Sequence, residues 1–279
     1  LFDTRLFYTT FFPGNNDLRR GTSALKLTGL VGSIVYPFSF YNRAELGAGY
    51  IRREINFRSF VLDDDGVPIE ILTPRNDDFP IVQGALVSDS TISTAAWPIT
   101  GHRIRLDAQY APDPDGGTLY NRYDLDARQY FALGQRGSIA LRAYLGATDG
   151  NSVTPFVIGG LDTIRGVDFR SLVGDRAFFT NVELRFPLID QFSTPILGIQ
   201  GIRGILFIDV GGAWFNDSQN FDFYDSDAGK FEDAVAAYGW GISARVFGPF
   251  DFNWDFAKPY KSKVDSGGYR TSFWIGARF

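Results

Sequence analysis

The sequence predicts an all-β protein: a transmembrane antiparallel β-barrel of about twelve strands. Three observations predict it. Apolar and polar residues alternate with a period of two from end to end, the mark of extended chain with two unlike faces. Aromatic residues make up 16% of the chain and glycine supplies 31 of its 279 residues, a mixture suited to strands and tight turns. No run of about eighteen uncharged apolar residues occurs, so no transmembrane helix is implied, whereas a membrane strand needs only about ten alternating residues.

Composition narrows the function classes. The net charge of −5 and pI of about 5.0 argue against a broad nucleic-acid footprint. The lack of cysteine excludes disulfides, thiolate metal sites and cysteine nucleophiles. There is no methionine, and no basic start with an apolar centre opens the chain, so it is expected to begin inside a longer or processed precursor.

The elements follow in order. Segments at roughly 3–13 and 22–36 lead into a third at 40–57, where Ala44, Leu46, Ala48 and Tyr50 oppose Arg43, Glu45, Gly47 and Gly49. A fourth is read at 80–91. The fifth, 101–111, sets Ile104, Leu106, Ala108 and Tyr110 against Arg103, Arg105, Asp107 and Gln109. The sixth, 119–132, carries both signs on one face, through Arg122, Asp124, Asp126 and Arg128. Ile139, Leu141, Ala143 and Leu145 mark the seventh, 137–148; Val182, Leu184 and Phe186, opposite Glu183 and Arg185, mark the eighth, 175–186. A ninth at 203–213, a tenth at 235–247, an eleventh at 251–258 and a twelfth at 269–279 complete the set, the last through Phe273, Ile275, Ala277 and Phe279.

Connections give a second signal. The chain turns through YPFS, LGQR and GPF after the second, sixth and tenth strands, but runs through long Asp-, Asn- and Gly-rich stretches after the third, seventh and ninth. Outer-membrane barrels alternate short periplasmic turns with long outer loops in this way, and keep both termini in the periplasm. The connections near 91–100 and 187–202 are longer than that rule.

A soluble sandwich also alternates, with its apolar face toward a core. Three features favour the barrel: strands of ten or more residues, polar faces of paired sign, and aromatics gathered near segment ends, as at Tyr36, Phe38 and Tyr41 or Trp214 and Phe215. The whole of 1–279 is read as one barrel domain, with a long loop at about 149–174, no long amphipathic helix, no low-complexity linker, and room for one helical turn at Asp225–Ala237.

Four motifs then resemble the barrel domain of the BamA/TamA superfamily, the bacterial surface antigen group. Ile164-Arg165-Gly166 stands where that family has an arginine-glycine-aromatic motif at the tip of its lid loop, so the resemblance implies that about 149–174 is a lid loop folded inward. Val182 to Leu188 is similar to the strand after that loop, Phe207-Ile208-Asp209-Val210-Gly211 to the next, and Phe273 to Phe279 to the terminal strand ending in phenylalanine. Order and spacing agree over roughly the last 200 residues. Position 167 is Val where the family has Phe or Tyr, with Phe169 two residues later. The family's barrels commonly have sixteen strands preceded by periplasmic POTRA repeats; this chain has room for about twelve strands and shows no such repeat.

A loop re-entering a barrel must keep its polar groups paired. An arginine reaching wall carboxylates does this through charge-assisted, bidentate bonds. Alternation puts Glu183 and Asp209 on the lumen side, so Arg165 is expected to dock on both, with Gly166 letting the backbone approach the wall. Read from the residues alone, an exposed loop arginine stays open; the resemblance favours docking.

The remaining candidates are bland. His102 is the sole histidine, and nothing near Gly101–Arg105 supplies the nucleophile and orienting group of a hydrolase, so no enzyme is expected. Asp63-Asp64-Asp65-Gly66 and Asp113-Pro114-Asp115-Gly116 read as solvated turns rather than calcium sites. Gly159-Gly160 is no phosphate cradle. Neither cofactor nor metal is expected.

The resemblance implies an integral protein of the bacterial outer membrane that translocates or inserts proteins. Its expected partners are outer-membrane lipids and lipopolysaccharide, periplasmic domains or other chains, and unfolded protein substrates, with no nucleic acid. It also implies that Phe279 belongs to a terminal-strand signal read by the assembly machinery. Two rival roles stay open, a barrel anchoring a soluble partner or complex and a passive pore; few hydrogen bonds between the first and last strands would favour insertion.

Overall fold

The computed structural model describes residues 2–10, 21–62, 68–94, 97–113, 116–161, 163–189, 192–193, 198–216, 221–227, 229–246, 250–260 and 268–276. Its long strands are β1 (Phe2–Thr10), β2 (Gly21–Pro37), β3 (Asn42–Leu62), β4 (Pro68–Asp89), β5 (Pro98–Pro112) and β6 (Thr118–Leu133). They continue as β7 (Gly137–Asp149), β8 (Arg176–Ile189), β9 (Gly198–Trp214), β10 (Val235–Val246), β11 (Phe250–Tyr260) and β12 (Arg270–Ile275). Each pairs antiparallel with the next, giving one meander from β1 to β12. Among the described residues no ladder joins β1 to β12.

The direction of each face separates barrel from sandwich. On β8, Val182 is 39% exposed and its neighbour Glu183 only 1%. Leu46, Tyr50, Ile104, Leu106, Leu145, Leu206 and Ile208 likewise point outward, while Arg53, Arg185, Asp209 and Asn253 are buried. A soluble fold reverses this arrangement. Apolar side chains turned out and charges turned in suit a wall with lipid outside and a polar lumen within.

Two expectations are corrected. The long loop after the third strand and the short fourth strand at 80–91 do not exist as read. β3 and β4 instead run 21 and 22 residues and stay laddered up to Leu62↔Pro68. A membrane strand needs about ten residues, so this hairpin continues well past the bilayer. The polar sequence that read as loop is extended chain whose backbone bonds are met across the ladder rather than by a core.

The long connection at 91–100 has a structural reason. Ile92–Ser93 folds back to pair with Thr100 and Pro98 of β5. This return seats Trp97 inside the barrel, buried with Ile99, Ile205, Phe207 and Ala257. The connection after β8 also carries a short pairing, Phe192–Ser193 against Ile199 and Gly198.

Candidate functional site: the lid in the lumen

The lid leaves β7 at Asp149 and returns at β8. Within it Phe156–Ile158 pairs antiparallel with Leu172–Gly174, so the lid is a small hairpin. Its tip is tightened by Gly160 N–H to Ile164 O at 3.0 Å and Gly159 N–H to Thr163 Oγ1 at 2.8 Å. Gly159 and Gly160 adopt φ of 115° and 100°, in the left-handed region that suits glycine. The fold drives apolar side chains onto the wall: Phe156, Ile158, Ile164 and Val167 pack against Ala177 and Phe179 of β8 and Val235 and Ala237 of β10.

The β8–β9 ladder builds the surface that receives the tip. Asn181 lies opposite Asp209, and Glu183 opposite Phe207, all four facing inward. The structure brings Arg165 onto this patch. Its Nε and Nη2 each donate at 2.7 Å to the two oxygens of Asp209, its Nη1 donates to Glu183 Oε1 at 2.5 Å, and its own backbone N–H reaches Asp209 Oδ2 at 3.0 Å. Asn181 Nδ2 completes the patch, donating to Asp209 Oδ1 at 2.8 Å and to the lid carbonyl of Thr163 at 2.6 Å. The remaining Glu183 oxygen accepts from Arg185 Nε at 2.8 Å. Two carboxylates thus face two guanidiniums and each is hydrogen-bonded, the condition under which charge is tolerated away from water.

Gly166 follows with φ of 78°, and a Cβ there would stand 3.0 Å from the Ala257 Cβ on β11. A side chain there would be strained by the positive φ and would crowd Ala257.

A family model described as the Omp85 superfamily domain matches residues 2–279. The chain belongs to the Omp85 superfamily. Among solved structures, this Omp85 chain is similar to BamA from Haemophilus ducreyi lacking POTRA domains 1–3, with a TM-score of 0.67 at 15% identity, covering 98% of this chain and 62% of that one. It is also similar to CdiB from Escherichia coli, with a TM-score of 0.60 at 15% identity, covering 98% of this chain and 48% of that one. The chain therefore spans less than two thirds of either neighbour. No curated protein matches it significantly. The family expected from the motifs is the family found, and an integral outer-membrane β-barrel is its setting.

Other candidate residues of the Omp85 chain fall differently. Phe169, taken with the lid motif, is 73% exposed and lies beside Arg170. The lid is seated by Ile164 and Val167, because the positive φ at Gly166 turns the chain so that residue 167 faces the wall. Phe273 and Ile275 face outward on β12, with Phe273 5.1 Å from Trp254 between ring centroids. Ala277 and Phe279 lie outside the described residues.

His102 is less isolated than the sequence implied. The β4–β5 ladder brings Ser88 Oγ to 2.9 Å from its Nε2, and Ser90 Oγ stands 3.0 Å from Nδ1. Both ring nitrogens are occupied by hydroxyls, so neither meets an orienting carboxylate. Residues 63–67 and 114–115 lie outside the described part; at the second stretch Asp113 N–H donates to Gly117 O at 3.2 Å. Among the described residues no group of three or more His, Asp or Glu is placed to hold a metal ion.

Sequence reasoning missed Asn181, Phe207 and Trp97 as parts of the site. Alternation from Glu183 and Asp209 already put Asn181, Arg185 and Phe207 on the inner faces; only the ladder register says which of them meet.

Proposed function

We propose that this chain is the single barrel domain of a non-catalytic protein that inserts proteins into, or translocates them across, the outer membrane. Family membership over 2–279 supports the class. The observation that carries the reading further is β12. Among the described residues it runs over Arg270–Ile275, paired with Phe252–Ala257 of β11 on one edge, and no ladder to β1 occurs on the other. A strand with an open row of N–H and C=O groups is a template for an incoming strand.

In this reading Arg165, Glu183 and Asp209 hold the lid in the lumen, Gly166 allows its close approach, and Ile164 seats it. Phe273, Ile275, Ala277 and Phe279 form the terminal-strand signal. Outer-membrane lipids and lipopolysaccharide contact the apolar outer face, and unfolded barrel proteins are the substrates, delivered by periplasmic domains or other chains. A passive pore is disfavoured because Trp97 and the lid tip both occupy the interior.

The test is reconstitution in liposomes with an unfolded outer-membrane barrel as client. Client folding should be faster than in protein-free liposomes. A cysteine at Phe273 cross-linked to one placed within Phe2–Thr10 should abolish the gain, and the chain has no native cysteine to interfere. Folding at the protein-free rate would overturn the proposal.

A further inference from the structure

The lid is held at a second place, by an arginine on the far side of the meander. Arg53 of β3 is buried at 1% exposure. It lies opposite Asp77 in the β3–β4 ladder, and its Nε and Nη2 donate to Asp77 Oδ2 at 3.1 and 2.6 Å. The rest of the fork leaves the wall. Nη1 donates to the backbone oxygen of Ser152 at 2.9 Å and to Thr154 Oγ1 at 3.1 Å, and Nη2 donates to Ser152 Oγ at 2.6 Å. These five bonds use every N–H of the guanidinium, which also stands 5.3 Å from the Phe79 ring centroid.

Asp77 alone would neutralise the charge. The three further donors all go to the descending limb of the lid, between Asp149 and Phe156, which contains neither end of the Arg165 patch. The limb is therefore fastened to β3 and β4, while the tip is fastened to β8 and β9. Along the sheet those walls are separated by β5, β6 and β7. The lid crosses the lumen between them.

We infer that Arg53 is a positioning residue which, with Arg165, makes the lid a brace setting the separation of the β3–β4 and β8–β9 walls. A brace works only with both ends attached, so loss of either arginine should have the same effect on the walls, and loss of both should add nothing. Two side chains that merely satisfied their own surroundings would act independently. The inference rests on the docked-lid reading of Arg165.

The test places nitroxide labels at Tyr50→Cys on β3 and Ile208→Cys on β9, both exposed on the outer face, in the full chain in lipid bilayers, and reads their distance distribution by pulsed electron spin resonance. The parent should give one narrow distribution. R53A, R165A and the double variant should all lose it, with the same broadened width. R165A at parent width would overturn the brace, whereas rapid cleavage of the lid by added protease in the parent would overturn the docked lid itself. R165A broadened with R53A at parent width, or a double variant broader than both singles, would overturn the brace alone. If R53A fails to fold, Ser152→Ala with Thr154→Val decides, since it removes two of the three bonds from Arg53 to the limb, leaving only that to the Ser152 carbonyl, yet keeps the Arg53–Asp77 pair: broadening supports the brace, and parent width overturns it.

Discussion

Arg165 sits over Phe207, with its guanidinium carbon 3.6 Å from the ring centroid, while its nitrogens donate to Asp209 and Glu183. Phe207 also belongs to the apolar cluster that holds Trp97. One aromatic ring of β9 therefore joins the two segments that enter the barrel, the lid tip and the return of the β4–β5 connection. A guanidinium shares its charge with carboxylates in its own plane and with a ring above or below that plane, so the two sets of contacts do not compete.

Removing a carboxylate from this patch leaves a cation in a dry place. Asp209→Ala should destabilise the barrel by roughly 3–5 kcal/mol, measured by urea unfolding in detergent micelles. Glu183→Gln keeps one acceptor oxygen, enough for Arg165 Nη1 or Arg185 Nε but not both, and leaves Asp209 on Arg165, so it should cost less, roughly 1.5–3 kcal/mol, the worth of bonds to charged groups. Equal losses would contradict a dock in which Asp209 takes the bidentate share.

Gly166 and Gly134 separate backbone strain from crowding. Both have positive φ, 78° and 65°, but a Cβ at 166 meets Ala257 at 3.0 Å whereas at 134 nothing lies within 4 Å. Each alanine variant should cost roughly 1–2 kcal/mol from backbone conformation. Only Gly166→Ala should also expose the lid to added protease, and equal cleavage in both would count against the close approach.

The two apolar residues after Gly166 should behave oppositely. Phe169→Ala removes an exposed ring and should change stability by no more than about 0.5 kcal/mol. Val167→Ala empties a packed position and should cost roughly 2 kcal/mol. Thermal melting of the two variants in micelles checks this, and a larger loss at 169 would refute the placement of the tip.

Trp97 should act on conductance. Its indole packs with Ile205 and Phe207 and donates to the Arg136 carbonyl at 3.4 Å, so Trp97→Ala opens space beneath the lid tip. In planar bilayers the parent should conduct weakly and Trp97→Ala more strongly. A parent that already conducts like an open pore would exclude the filled lumen.

Much of this was legible in the sequence because period two is set by the pleat itself. Val182, Glu183, Leu184 and Arg185 alternate in the sequence and in the wall, and that alternation carried Glu183 and Asp209 to the inner face. Register was not legible. Nothing local says that Asn181 sits opposite Asp209 or Arg53 opposite Asp77, since cross-strand partners are fixed by the ladder. The β3–β4 extension was hidden for another reason: past the membrane neither face must be apolar, so the alternation fades although the strands continue. Phe169 and Val167 could not be told apart as wall contacts from residue type; the backbone turn at Gly166 leaves Val167 buried and Phe169 exposed.

The central claim is that the lid lies docked in the lumen, and the backbone amide of Arg165 tests it most directly. That N–H donates to Asp209 Oδ2 at 3.0 Å in a buried site. Hydrogen–deuterium exchange of the folded protein in lipid nanodiscs should find the Gly160–Val167 segment slow to exchange, and fast in Asp209→Ala at unchanged strand protection. Rapid exchange of that segment in the parent would contradict the account.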